Sequence, residues 1–185
     1  MASRKEIFFK GMRDGIPICT GYFAVSITLG IAARNAGLTV WQATLASMLT
    51  NASAGEFAAF TLIAAHASYW ELIIMEAVAN ARYLLMSCSL SQKLSPDTPM
   101  WQRMLLGQCV TDEIFGISAA VPGWLDPFYS FGAFSVASPG WAAGTALGVI
   151  LGNALPARAV SALSVGRYGM FIAIVVPPCR TSRVL

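Results

Sequence analysis

The chain has 185 residues, of which 56% are hydrophobic and only 11% charged. A soluble domain carries roughly 25% charged residues, so this chain cannot cover a globule with polar surface and must expose apolar surface to lipid. The net charge of +3 comes from scattered basic residues, which excludes nucleic acid as a partner. The separated Cys19, Cys88, Cys109 and Cys179 form neither a metal cluster nor a redox pair.

The expectation is an all-α, multi-pass membrane protein with one transmembrane domain over residues 1–185, no cofactor and no enzymatic centre. A crossing helix needs about 20 mostly apolar residues. Six stretches qualify: Ile16–Ala33, Val40–Ala65, Trp70–Leu90, Met104–Val121, Val136–Leu155 and Ser161–Pro178. The N-terminal MASRKEIFFKGMRDGIP is basic, as a signal peptide would be. No small-residue cleavage site follows it, so the first stretch reads as a retained helix. The second stretch is interrupted by NASAGE, Asn51 to Glu56. Its leading part, Val40–Thr50, makes about 16 Å of helix, roughly half a membrane. The third carries Glu76, Asn80 and Arg82, and the fourth has Asp112 and Glu113 at its middle. Trp41, Trp70, Trp101, Trp124 and Trp141 lie at or near predicted ends, as interfacial aromatics should.

If all six stretches cross, Lys and Arg divide almost evenly between the two sides. If Val40–Ala65 and Ser161–Pro178 instead enter and return on one side, nearly every basic residue outside the helices falls on the inner side, leaving Arg34 opposite. The positive-inside rule favours this broken-helix arrangement, with the N-terminus cytoplasmic. A short repeat points the same way. TLGIAARNAGL (28–38) and ALGVILGNALP (146–156) align without gaps, sharing Leu29/Leu147, Gly30/Gly148, Asn35/Asn153 and Ala36/Ala154. The first repeat would cover 16–121 and the second would begin over 136–178. Three crossings between the copies would make them inverted, a common transporter plan. The second copy then lacks its last helices, and the chain reads as shortened.

Polar breaks within lipid survive only against protein or a water-filled cavity. The NASAGE break should therefore face inward. Its backbone amides, at the start of a half-helix, suit a carboxylate, and Asn51, Ser53 and Gly55 belong to the same element. Glu56 there would attract an ammonium or carry a proton. Packing through small residues is the structural alternative. Glu76 and Asn80 share one helix face, while Arg82 falls on roughly the opposite side. An intramembrane Arg calls for a carboxylate partner, which Asp112 or Glu113 would supply, leaving the other as a proton or ammonium site. Phe57, Met86 and Phe115 are candidates for apolar contact with a substrate. Ser53 and the single His66 suggest an intramembrane serine protease, but the pattern lacks the surroundings such a nucleophile needs.

Read together and in order, GYFAVSITLGIAARNAGLTVWQATLASML, NASAGEFAA, NARYLLMSCSLS, LLGQCVTDEIFG and YGMFIAIVVPP resemble the AzlC family of branched-chain amino acid exporter subunits. The resemblance runs from about Gly11 to Arg183. It implies a large subunit that works with a small membrane partner of AzlD type. Together they would export leucine, isoleucine, valine or, in some members, methionine, driven by the proton-motive force across the cell membrane. The family's polar motifs fall on Asn51–Glu56, Asn80, Arg82, Asp112 and Glu113. Many members have GASQF where this chain has SAGEF, placing Glu56 in the position of a Gln, and typical members continue well beyond the double proline. The alternative function is a non-transporting scaffold for a small membrane partner, its polar residues serving as glue between helices.

Overall fold

The computed structural model describes residues 3–154, 156, 158, 162, 163 and 165. The expected segment Ser161–Pro178, with Arg167 and the double proline, lies largely outside the described residues. Among the described residues the protein is all-α. Its helices are α1 (Arg4–Asn35), α2 (Val40–Thr50), α3 (Ser53–Ala64), α4 (Tyr69–Asn80), α5 (Arg82–Gln92), α6 (Met100–Cys109), α7 (Asp112–Ala119) and α8 (Pro127–Leu151). Three helical stretches are long and apolar enough to cross a membrane: α1, the α4–α5 stretch Tyr69–Gln92, and α8. The helices divide between two compact units.

The first unit holds the beginning of α1, then α5, α6, α7 and the beginning of α8. Here α1 and α8 run parallel and in backbone contact. Gly132 fits against the Phe8 carbonyl, Gly11 against that of Tyr129, and Gly15 against Ala133. The Tyr129 hydroxyl donates to Asp14 Oδ2 at 2.8 Å. Leu90, Leu94, Leu106, Val110, Leu125 and Tyr129 form the apolar core of this unit, and Met86 and Phe115 pack against it.

Met104–Val121 is not one crossing helix. The chain breaks at Val110–Thr111, where the Thr111 hydroxyl caps α7 by accepting the Ile114 N–H at 3.3 Å. The string TDE is thus a helix start, with a capping hydroxyl followed by two acids in the first turn. Both ends of the α6–α7 pair sit at the start of α8. The Lys93 ammonium meets the Ala119 carbonyl at the end of α7, and the Leu125 N–H donates to the Lys93 carbonyl at 2.8 Å. Before α6, the Arg103 guanidinium gathers the carbonyls of Ser95 at 2.8 Å and Thr98 at 3.1 Å. A cavity of about 380 Å³ lies at this same end, lined by Arg4, Asp97, Thr98, Gln102, Trp124 and Asp126. The α6–α7 pair therefore leaves from and returns to one end of the unit.

The second unit holds the rest of α1, then α2, α3, α4 and the rest of α8. Again α1 and α8 run parallel. Gly140 faces Cys19, Gly144 faces Phe23 and Ser26, Gly148 faces Ile27 and Gly30, and Gly152 faces Arg34. Glycines four apart lie on one helix face, and with no side chains there the backbones meet directly. A β-carbon built on Gly30 would lie 2.7 Å from the Gly148 Cα. Close approach through small residues is how membrane helices associate where burial from water is unavailable. At the end of this crossing the Arg34 guanidinium donates to the Val149 carbonyl at 2.9 Å and the Ile150 carbonyl at 3.1 Å. It thereby neutralises the negative end of α8. Arg34→Ala is expected to lower stability by about 1 kcal/mol, read as a small drop in melting temperature of the detergent-solubilised protein.

The two repeat strings lie on these helices, and their shared glycines, Gly30 and Gly148, touch each other. They run in the same direction, so the expected inversion of the two copies is corrected. The extra crossing that inversion required was Met104–Val121, which turns back instead. Val40–Ala65 is likewise not one continuous helix but the two short helices α2 and α3, separated by a break at residues 51–52.

Candidate functional site

The break in the second stretch is built by sequence on both sides. Thr39 and Gln42 form a capping box that starts α2. Its end is set by Asn51, which adopts a left-handed backbone at φ 45°. Asn is among the few residues that tolerate this conformation. The Asn51 N–H donates to the Ser47 carbonyl at 3.1 Å, and its Nδ2 donates to the Met48 carbonyl at 2.8 Å. Ala52 is extended and precedes α3 without any side-chain cap. The first amides of α3 are consequently offered to whatever lies beyond them.

Glu56 stands in the first turn of α3 and is 2% exposed. Three donors from two helices, α2 and α8, hold its carboxylate. Ser47 on α2 donates to Oε2 at 2.7 Å, Thr50 to Oε1 at 2.8 Å, and the Trp141 indole N–H on α8 to Oε1 at 2.9 Å. Behind them, the Ser47 and Thr145 hydroxyls lie 2.8 Å apart, and Thr145 also donates to the Trp141 carbonyl at 3.2 Å. Tyr22 on α1 packs edge-on against the Trp141 ring, with centroids 5.1 Å apart. Sequence reasoning placed Trp141 near a membrane interface; it is 2% exposed, and its indole N–H ends at Glu56. Trp41, Trp70, Trp101 and Trp124 are exposed, as expected of interfacial aromatics. Ser47, Thr50, Trp141 and Thr145 are the residues the sequence reading missed. The available signal was hydroxyls at Thr50 and Ser47, six and nine residues before a carboxylate across a break.

Across from Glu56, α3 and α4 form an antiparallel hairpin. His66 turns its end at φ 52°, and a capping box between Ser68 and Glu71 starts α4. His66 is exposed and Ser53 lies at the opposite end of α3, a separation of about 18 Å along the helix. Gly55 lets α4 approach closely: a β-carbon there would lie 2.6 Å from Glu76 Oε2 and 2.9 Å from Asn80 Nδ2. Asn80 Nδ2 donates to Glu76 Oε2 at 2.6 Å. The second unit thus brings together Asn51, Ser53, Gly55, Glu56, Glu76 and Asn80.

Of the remaining predicted residues, Arg82 also belongs to the second unit, and Asp112 and Glu113 lie in the first. Arg82 opens α5 and is exposed, and Asp112 and Glu113 form the first turn of α7, with Glu113 6% exposed. None of these three lacks a partner. Phe57 is exposed on α3, whereas Met86 and Phe115 belong to the core of the first unit. Among the described residues there is no group of His, Cys, Asp and Glu able to hold a metal ion.

Comparison with known proteins agrees with this membrane architecture. An uncharacterized membrane protein of Archaeoglobus fulgidus is 31% identical over 177 residues, 95% of this chain and 77% of that protein. Uncharacterized membrane proteins from two Helicobacter pylori strains are each 28% identical over 114 residues, 60% of this chain and 49% of theirs. The shared region is thus about half the length of those two relatives. No solved structure matches the chain. The family model described as AzlC protein matches residues 17–155, which contain both broken segments and the Glu56 network, and the chain belongs to that family.

Proposed function

We propose that the chain is the large subunit of an exporter of branched-chain amino acids, acting in the cell membrane with a small membrane subunit of AzlD type and driven by protons. The observation that carries this reading is the α2–α3 break. An apolar segment is interrupted by a left-handed Asn51, is anchored by a buried Glu56, and opens into α3 with uncapped amides. Discontinuous helices whose half-helix N-termini point at anionic groups are a recurring way to bind an amino acid carboxylate at mid-membrane. Glu56 does not serve the substrate ammonium in this reading, since three protein donors already occupy its carboxylate. Its charge is absorbed locally, which leaves the α3 amides free to favour an anion.

Proton coupling is assigned to the second break, where Asp112 and Glu113 open α7. Asp112→Asn and Glu113→Gln are expected to reduce leucine efflux at least tenfold while membrane insertion is unchanged. Efflux at the original rate from both variants would remove the carboxylates from the mechanism. The N-terminus is placed in the cytoplasm because Arg4, Lys93 and Arg103 belong to the end of the first unit where α1 begins, while Arg34 ends the same helix.

The deciding experiment is efflux of preloaded leucine from cells producing this chain with an AzlD-type partner, with and without a protonophore. Efflux that the protonophore abolishes supports a proton-driven exporter. Absence of efflux from protein shown to be in the membrane and in complex with its partner counts against it.

A further inference from the structure

Among the described residues, three buried side-chain oxygen atoms of the second unit have no hydrogen-bond partner: Asn51 Oδ1, Glu76 Oε1 and Asn80 Oδ1. All are acceptors, and all belong to the α2–α3 break or to the α4 face packed on Gly55. Asn51 is more than nine-tenths buried, at 8% exposure. Buried polar groups are ordinarily satisfied, and in a low-dielectric interior an orphaned one calls for a physical explanation. Carboxylates in membrane segments are costlier still, and they mark ion or substrate sites by default.

The arrangement is not relieved by turning the Asn80 amide. Its Nδ2 lies 2.6 Å from Glu76 Oε2, and a flip would set two oxygens against each other at that distance. The bond locks the pair so that Asn80 Oδ1 and Glu76 Oε1 remain as the vacant acceptors. No protein cation fills the gap, because Asn80 is the sole hydrogen-bond partner of the Glu76 carboxylate among the described residues. The glycine at position 55 lets this pair pack directly on the α3 backbone, since any side chain there would begin 2.6 Å from Glu76 Oε2 and 3.1 Å from Asn80 Oδ1.

We infer that Glu76 and Asn80, on the α4 face packed against Gly55, form an oxygen-lined site for a small cationic head. Its occupant is either a sodium ion or the primary ammonium of an amino acid. Hard monovalent and divalent cations take oxygen ligands, and an ammonium offers three N–H donors to acceptors of this kind. A proton shared between Glu76 Oε1 and Asn80 Oδ1 is the competing occupant, and the pH arm of the test separates it from a cation. The ammonium alternative rests on the amino acid reading above; the sodium alternative does not.

The test is thermal unfolding of the purified full chain in detergent, followed by tryptophan fluorescence. Choline chloride is the background, with sodium chloride, leucine, or 4-methylpentanoate (leucine's skeleton without its ammonium) added separately. A melting temperature raised by sodium identifies the ion, and one raised by leucine but not by 4-methylpentanoate identifies the ammonium. In Glu76→Gln the response should disappear while the unliganded protein melts no lower than the original. A merely structural role would instead lower that melting temperature and leave the ligand response in place. Asn80→Ala should raise the half-saturating concentration at least tenfold. The proposal is overturned if the original protein responds to neither sodium nor leucine, if Glu76→Gln responds as the original does, or if lowering pH alone reproduces the shift. Leucine efflux undiminished in Glu76→Gln would refute the ammonium assignment and leave the exporter reading standing. A sodium response in a protein that exports no leucine would do the reverse.

Discussion

Glu56→Ala is expected to destabilise the protein by about 3–5 kcal/mol, enough to remove most folded material from the membrane. The change strands the buried Trp141 indole N–H and leaves the Ser47 and Thr50 hydroxyls only their other partners, Thr145 and the Ala46 carbonyl. Unsatisfied buried donors cost more than the bonds themselves contributed, because each keeps its full desolvation penalty. The measurement is recovery and melting temperature after mild detergent extraction. Glu56→Gln separates charge from shape. It preserves one acceptor oxygen but turns an NH₂ group toward donors, so a smaller loss of about 1–3 kcal/mol is expected. If Glu56→Ala melts like the original protein, the network is not what fixes the break.

Gly148→Val is expected to cost about 3 kcal/mol, at the upper end of overpacking effects, because the obstruction is backbone. The new side chain would begin 2.9 Å from the Gly30 Cα, and no rotamer change can relieve a contact with a main chain. Only separation of α1 from α8 would, and the neighbouring contacts at Gly144 and Gly152 resist it. Gly30→Ala and Gly148→Ala test the same crossing through a double-mutant cycle. Since the two residues touch, their effects should be non-additive by about 0.5–3 kcal/mol. Additive losses in melting temperature would show that the two helices do not meet there.

Much of the fold was legible because lipid imposes simple rules. The apolar stretches, the break at NASAGE and the exposed tryptophans follow from hydropathy and from the cost of unpaired backbone in a membrane. What escaped was decided by contacts distant in sequence. Hydropathy alone could not show that Met104–Val121 turns back at Thr111, although the Thr-Asp-Glu string carries a capping signal. Nor does hydropathy show that the glycines of α8, spaced four apart, form a contact face with α1. Trp141 was placed by its residue type, whereas its position is set by a carboxylate on another helix. Within the site, Asn51, Gly55, Glu56, Glu76 and Asn80 were identifiable as polar or small residues inside apolar segments. Their division of labour, with Glu56 saturated by donors and Glu76 left short of them, depends on which helix each one faces.

The parallel pairing of α1 with α8 also constrains how the protein can be made. α1 leaves the ribosome well before α8, so its glycine-lined contacts exist only once α8 has followed it. Until then its close-packing face meets lipid or the insertion machinery. Glu56 waits with it, since Trp141 and the Thr145 hydroxyl behind Ser47 arrive only on α8. A chain released before Ser138 would carry an under-satisfied carboxylate and an unpaired helix surface, both recognisable to a membrane protease. Assembly of this fold is therefore a late event in synthesis, and completion of α8 is the step that commits it.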